Sequence, residues 1–263
     1  MKIKVITCSF LLSLLLIGIP GYIFSQSQPL LLLENHDFDL DGDGKKDQIL
    51  FCFYSTTGYS DEYNRFTIEI GRSIIAGKGD NLDGKFEVVD VDTTDRFREI
   101  IVPESGPSDD YGVYVFRFDG SNILYLGYVP GHLHCRNEVV FDGSGIVKGT
   151  CRANILQTWW YRCEFKVNEN QKLECIDKDF YEMKPKVRVT LKLDLALKKS
   201  PSDTTTVWIL HPGDHAILIG SDNKRWCLVE TESGLSGWFA VEGFSKINGR
   251  WAQEVFDGLL SAD

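Results

Sequence analysis

Carboxylates recur at alternate positions in the stretch Asp39, Asp41, Asp43, with Asp47 following shortly after. Counted from Asp39, acids stand at positions one, three, five and nine, and Gly44 stands at position six, where the chain must turn sharply. That spacing wraps several oxygens around one hard cation. Four anions held so close repel one another without a counter-charge, so the pattern points to a bound ion, and an all-oxygen donor set points to Ca²⁺. Lys45, at position seven, would contribute only its backbone carbonyl. An EF-hand needs a bidentate Glu at position twelve and a helix after it. Position twelve here is Leu50, and residues 48–54 read as a strand, so the loop is not an EF-hand. Without an ion, the same residues would form a solvated acidic turn.

A second acidic loop, with Asp90, Asp92, Asp95 and Glu99, resembles a degenerate copy of the first. Thr94 stands where the first loop has Asp43, and the last acid comes one residue later. The reading is therefore divided between a second metal loop and a polar turn held by its own side-chain hydrogen bonds. His132, His134 and Cys135 are close together, but strand alternation would put Cys135 on the face opposite the histidines, so a shared ion would need a turn. His211 and His215 flank a turn and read as exposed polar residues. No nucleophile elbow, zinc-protease helix, phosphate loop or dinucleotide fingerprint occurs. A Cys and His pair drawn from Cys135, Cys151, His132 and His134, or carboxylate pairs such as Asp109 with Asp110 or Glu99 with Glu104, remain the only catalytic combinations.

These residues must be positioned by strands. From residue 30 to about 184, short apolar or alternating runs are separated by turn residues, as in 66–70, 113–118 and 123–127, the last two joined through Asp119-Gly120. An all-β fold follows. The loop bearing Asp39, Asp41, Asp43, Gly44 and Asp47 before a strand resembles the calcium loops of FG-GAP (VCBS, integrin-propeller-type) repeats. The resemblance implies a structural Ca²⁺ site in a β module. Roughly four blades are needed to close a propeller, and only two such loops are seen, so propeller-like meander sheets or a compact sandwich are expected.

From about residue 186, five short strands with tight turns predict a small antiparallel barrel. Leu195 and Leu197 ahead of Ser200-Pro201-Ser202, the turn Pro212-Gly213-Asp214, Trp226 before an apolar run, and Gly237-Trp238-Phe239 resemble the bacterial SH3-like (SH3b) domain. That resemblance implies ligand binding at a cell surface, with Trp226, Trp238 and Phe239 as candidate contacts. Core packing is the alternative role for these aromatics. Trp251, Val255, Phe256, Leu259 and Leu260 have helical spacing and predict a short C-terminal helix. The expected organisation is a leader over 1–27, a calcium-binding β domain over 28–184, the barrel over 185–245, and a helix and tail over 246–263.

The net charge of −10 disfavours nucleic acid and polybasic membrane attachment. Lys2, Lys4 and the apolar run 5–19 read as a secretory signal cleaved after Ser27. Left uncleaved, the segment would serve as a membrane anchor. Processing would remove Cys8 and leave six cysteines, an even number that permits disulfides in an exported chain, with buried thiols as the alternative. The sequence thus predicts an exported, non-enzymatic binding protein of a bacterial surface or wall, with a cell-wall component or surface protein as partner. A peptidoglycan-acting hydrolase, or an adhesin or inhibitor working through the first domain, are the alternatives.

Overall fold

The computed structural model describes residues 31–56, 63–106, 111–132, 138–153, 155–157 and 159–260. The expected leader, Asp109, Asp110, His134 and Cys135 lie outside them. The described residues form strands joined by turns with a single four-residue helix, the all-β class that the alternation predicts. Strands β1 (Leu31–Phe38), β2 (Asp47–Tyr54), β3 (Tyr63–Ile70) and β4 (Ser73–Leu82) form one antiparallel meander. A second meander contains β5 (Glu87–Val89), β6 (Glu99–Ser105), β7 (Tyr111–Phe118) and β8 (Ile123–Pro130). A third contains β9 (Val140–Phe141), β10 (Val147–Ala153), β11 (Trp159–Val167) and β12 (Leu173–Cys175).

Burial explains how the meanders stack. In β2 only alternate residues are buried, Ile49, Phe51 and Phe53, so one face meets the core. In β6 and β7 both faces are buried, and their residues divide between two cores. Ile100, Val102, Phe116 and Phe118 pack with the aromatics of β2 and β3. Ile101, Val113 and Val115 pack instead with Val147, Cys163 and Phe165 of the third meander. The second meander is thus the middle layer. The bridge Leu82 to Glu104 joins β4 to β6, so the first two meanders share one sheet. A disulfide links Cys151 on β10 to Cys163 on β11, twelve residues apart; Cys52, Cys175 and Cys227 carry free thiols.

The following strand, β13 (Tyr181–Leu191), connects the two halves of the molecule. Both of its ends pair with β16 (His215–Ser221), Tyr181 and Glu182 before a register shift and Val187 to Thr190 after it, and within the shift Lys184 pairs with Trp160 on β11. Pro185 lies within that shift, where its missing N–H costs no ladder bond. The expected domain boundary at 184/185 therefore falls inside a strand. Strands β17 (Trp226–Thr231) and β18 (Ser236–Ala240) continue the sheet, and β14 (Leu195–Leu197) and β15 (Trp208–Leu210) form a hairpin beside it. Lys198 and Trp238 exchange backbone hydrogen bonds at 2.8 Å, which folds the hairpin back onto β18 around a core containing Leu195, Leu197, Leu218, Val229 and Phe239.

The expected C-terminal helix shrinks to one turn, α1 (Ala252–Val255), between β20 (Arg250–Trp251), which pairs with β19 (Lys246–Ile247), and β21 (Phe256–Asp257). Phe256 is drawn into pairing with Leu191 on β13 and is buried, so a tertiary strand contact overrides the helical spacing. Trp251 and Leu260 are exposed, contrary to the predicted apolar stripe. Among the described residues no helix is long and apolar enough to cross a membrane.

Candidate metal centre

Each of the three meanders opens in the same way, with a strand, an acidic loop and a second strand paired antiparallel to the first. In the first, Phe38 pairs with Asp47 around the loop 39–46; in the second, Val89 pairs with Glu99 around 90–98; in the third, Phe141 pairs with Val147 around 142–146. Asp39, Asp90 and Asp142 are therefore equivalent, and the three loops differ in what balances their charge.

In the first loop the backbone orients the carboxylates. The N–H groups of Gly42 and Gly44 donate to the two oxygens of Asp39 at 2.9 and 3.1 Å. The N–H of Asp43 donates to Asp41 at 3.0 Å, and that of Lys45 donates to Asp43 at 2.8 Å. Gly42 has φ +70, and a Cβ there would lie 2.5 Å from the Arg96 carbonyl of the second loop, so the position requires glycine on both counts. Gly120, in the β7–β8 turn, likewise leaves room for Asp41 Oδ2, which a Cβ would meet at 2.5 Å. The result is that carboxylate oxygens of Asp39, Asp41 and Asp43 lie within 4.8 Å of one another.

These three residues fit a hard cation, since they are anionic, oxygen-bearing and at least partly accessible. Lys45 Nζ pairs with Asp43 at 3.2 Å, and its backbone and side-chain contacts hold the Asp43 carboxyl below the usual carboxylate range. Asp47 is not part of the convergent set. One of its oxygens accepts the Leu40 N–H at 3.0 Å, which closes the loop, and burial pushes its carboxyl up. The Leu40 N–H opposes that rise, while Asp41, Asp43 and Asp39 add to it.

The second loop solves the same problem with a side chain. Glu99 is fully buried; it accepts the Val91 N–H at 3.0 Å and two bonds from Arg117, at 2.8 Å from Nε and 2.5 Å from Nη2. Burial pushes the Glu99 carboxyl up, and Arg117 acts against it. Arg117 also pairs with Asp95 at 3.1 Å, donates to Gln171 at 3.2 Å, and lies 4.7 Å over the Phe97 ring. Asp92 bonds Thr94 through N–H and Oγ1, and the Thr94 hydroxyl chiefly holds its carboxyl low. Asp95 and Glu99 thus share a guanidinium instead of converging with Asp90 and Asp92 on an open point. Among the described residues, only the first loop gathers three acids as a metal would require.

The third loop was not anticipated. Asp142 pairs with Lys148 at 2.7 Å, and that ammonium pulls its carboxyl down to about 2. Val147 replaces the closing acid and the loop is shorter, which hides the repeat in the sequence. Backbone bonds from Thr93 to Gly143 and from Gly145 to Val91 join it to the second loop.

The other candidates are placed separately. Of the barrel aromatics, Phe239 is buried against Phe256, while Trp226 and Trp238 are half-buried. Lys198 and Arg225 lie over Trp226 at 5.2 and 5.7 Å, and Trp238 packs edge-on to Phe180. Trp208 and Ile209 on β15 are more exposed than any of these, because a two-stranded hairpin leaves both residues in contact with water. His132 packs against Tyr111 with the two rings tilted by 32°. His211 bonds Asp194 at 2.9 Å and His215 bonds Thr190 at 3.0 Å. Glu104 accepts the Tyr114 hydroxyl at 2.8 Å and the Asp80 N–H at 3.1 Å, so it and Glu99 each have partners of their own. Compared with known proteins, the chain has no significant match to a family model, a curated protein or a solved structure.

Proposed function

We propose that this chain is an exported, non-enzymatic binding protein of a bacterial surface or wall, its first meander stiffened by Ca²⁺ and its second half contacting a wall component or surface protein. The observation that carries this reading is the convergence of the Asp39, Asp41 and Asp43 carboxylates. With the Lys45 carbonyl these residues would hold the ion, and Asp47, which stands outside the convergent set and closes the loop on Leu40, would complete it only by turning its other oxygen inward. Its role is structural, because the loop ties the first meander to Arg98 through the Leu40 carbonyl at 2.9 Å and packs beneath Arg96. Extracellular calcium modules bind at about 10⁻⁴ to 10⁻³ M, which suits filling outside a cell. The resemblance of the loop to FG-GAP repeats and of the second half to SH3-like domains supports the same reading.

Exposed apolar surface favours the second half as the contact region. Among the described residues, Val207, Trp208 and Ile209 form a consecutive exposed run, and Phe244 and Trp251 are more than half exposed. Sedimentation of the full chain with purified peptidoglycan, with and without Ca²⁺, tests the proposal. The expected result is co-sedimentation that Trp208→Ala and Trp226→Ala weaken by about tenfold. Absence of co-sedimentation under both conditions would rule out a wall ligand.

A further inference from the structure

A second candidate site shares no residue with the calcium loop or the barrel aromatics. Where the second and third meanders meet, a half-open cleft of about 440 Å³ is lined by Tyr111, Tyr128, His132, Thr150, Arg152 and Trp160 among others. That volume lies within the ~300–1,000 Å³ typical of small-ligand sites. Its walls are held from several sides. The Cys151–Cys163 disulfide ties β10 to β11 beneath it, and Arg152 stands directly opposite Trp160 across those strands. Gly112 gives Tyr128 its place, because a Cβ there would lie 2.1 Å from the phenol ring. Tyr128 is further braced by Tyr114 at 5.1 Å, and His132 by Tyr111.

The lining is selective in charge. Among the described residues no Asp or Glu lines the cleft, in a protein whose net charge is −10, and the exposed Arg152 is the one permanent charge among them. Thr150 Oγ1 accepts from Arg162 at 3.1 Å, which brings a second guanidinium behind the wall and leaves the hydroxyl proton free to donate. Aromatic rings offer flat apolar faces with polar edges. A cation would be drawn to such rings, but the guanidiniums oppose it. A half-open shape suits a segment of a chain better than an enclosed small molecule. We infer that this cleft binds a saccharide bearing a carboxylate, its CH-rich ring face lying on Tyr128 and Trp160 and its carboxylate meeting Arg152.

The test uses the full chain and three probes: the disaccharide glucuronosyl-β-1,4-glucose, its neutral counterpart cellobiose, and benzoate. Tryptophan fluorescence and calorimetry should show saturable binding of the acidic disaccharide, about tenfold tighter than cellobiose. Arg152→Gln should remove that tenfold preference and leave the weak cellobiose affinity unchanged. Since Arg152 is exposed, the variant should keep its melting temperature. Failure of the acidic disaccharide to bind wild type overturns the inference. So does an unchanged preference in Arg152→Gln, or benzoate competing at the same concentration as the disaccharide.

Discussion

Arg117 holds Glu99 with two donors, reaches Asp95 with the second of them, and is itself almost fully buried. Removing one member of a buried pair leaves the other charge without compensation, so Arg117→Met should cost about 3–5 kcal/mol in urea denaturation, whereas Arg117→Met with Glu99→Leu should recover most of that loss. If both variants were equally destabilised, packing and not charge would be the cause. Tyr114 gives a prediction of the opposite kind, in pH. Burial first and its hydrogen bond to Glu104 second push its phenol well above the ordinary value near 10. Above that value the unfolded chain releases the Tyr114 proton while the folded chain keeps it, so stability should fall as pH rises past about 10. Urea midpoints at neutral and alkaline pH, compared with Tyr114→Phe, should show that variant losing the alkaline part of the decline. At this scale the sequence revealed the acids but not their partners. Asp39, Asp41 and Asp43 are local in the chain, whereas Arg117 lies eighteen residues beyond Glu99, and a strand arginine gives no sign of facing inward.

The strands β6 and β7 are buried on both faces and are shared by two cores, so their amides should exchange most slowly, approaching the rate set by global unfolding. Ile101→Ala should cost about 2–5 kcal/mol, and hydrogen exchange should show both cores loosening together. Reduction of the Cys151–Cys163 bridge should cost about 2–4 kcal/mol by the same denaturation assay. Most strands were legible because one-sided burial leaves a period of two, and Asp119-Gly120 marked the β7–β8 hairpin. The C-terminal segment misled because Trp251, Val255 and Phe256 satisfy a helical spacing that the pairing of Phe256 with Leu191 overrides. That pairing joins residues far apart in sequence, which periodicity does not register.

Taken as a whole, the molecule is three stacked meanders followed by a curled sheet, with β13 belonging to both parts. Two repeats were visible in the sequence; the third was not, because its loop is shortened and Val147 stands where an acid closes the others. Each loop balances its carboxylates differently, by Arg117 in the second, by Lys148 in the third, and in the first by the exposed Lys45 with Arg96 near Asp43. That contrast is why we propose the first loop as the one that takes an added cation, and it sets the decisive measurement. Calorimetric titration of Ca²⁺ into the full chain, paired with its melting temperature in Ca²⁺ and in chelator, should show one site at about 10⁻⁴ to 10⁻³ M. At a hundredfold excess over Kd the stabilisation should be about 2.7 kcal/mol, or roughly 5–10 °C, and both effects should vanish in Asp41→Asn. A titration without heat, together with identical melting in Ca²⁺ and chelator, would contradict the calcium site on which this account rests.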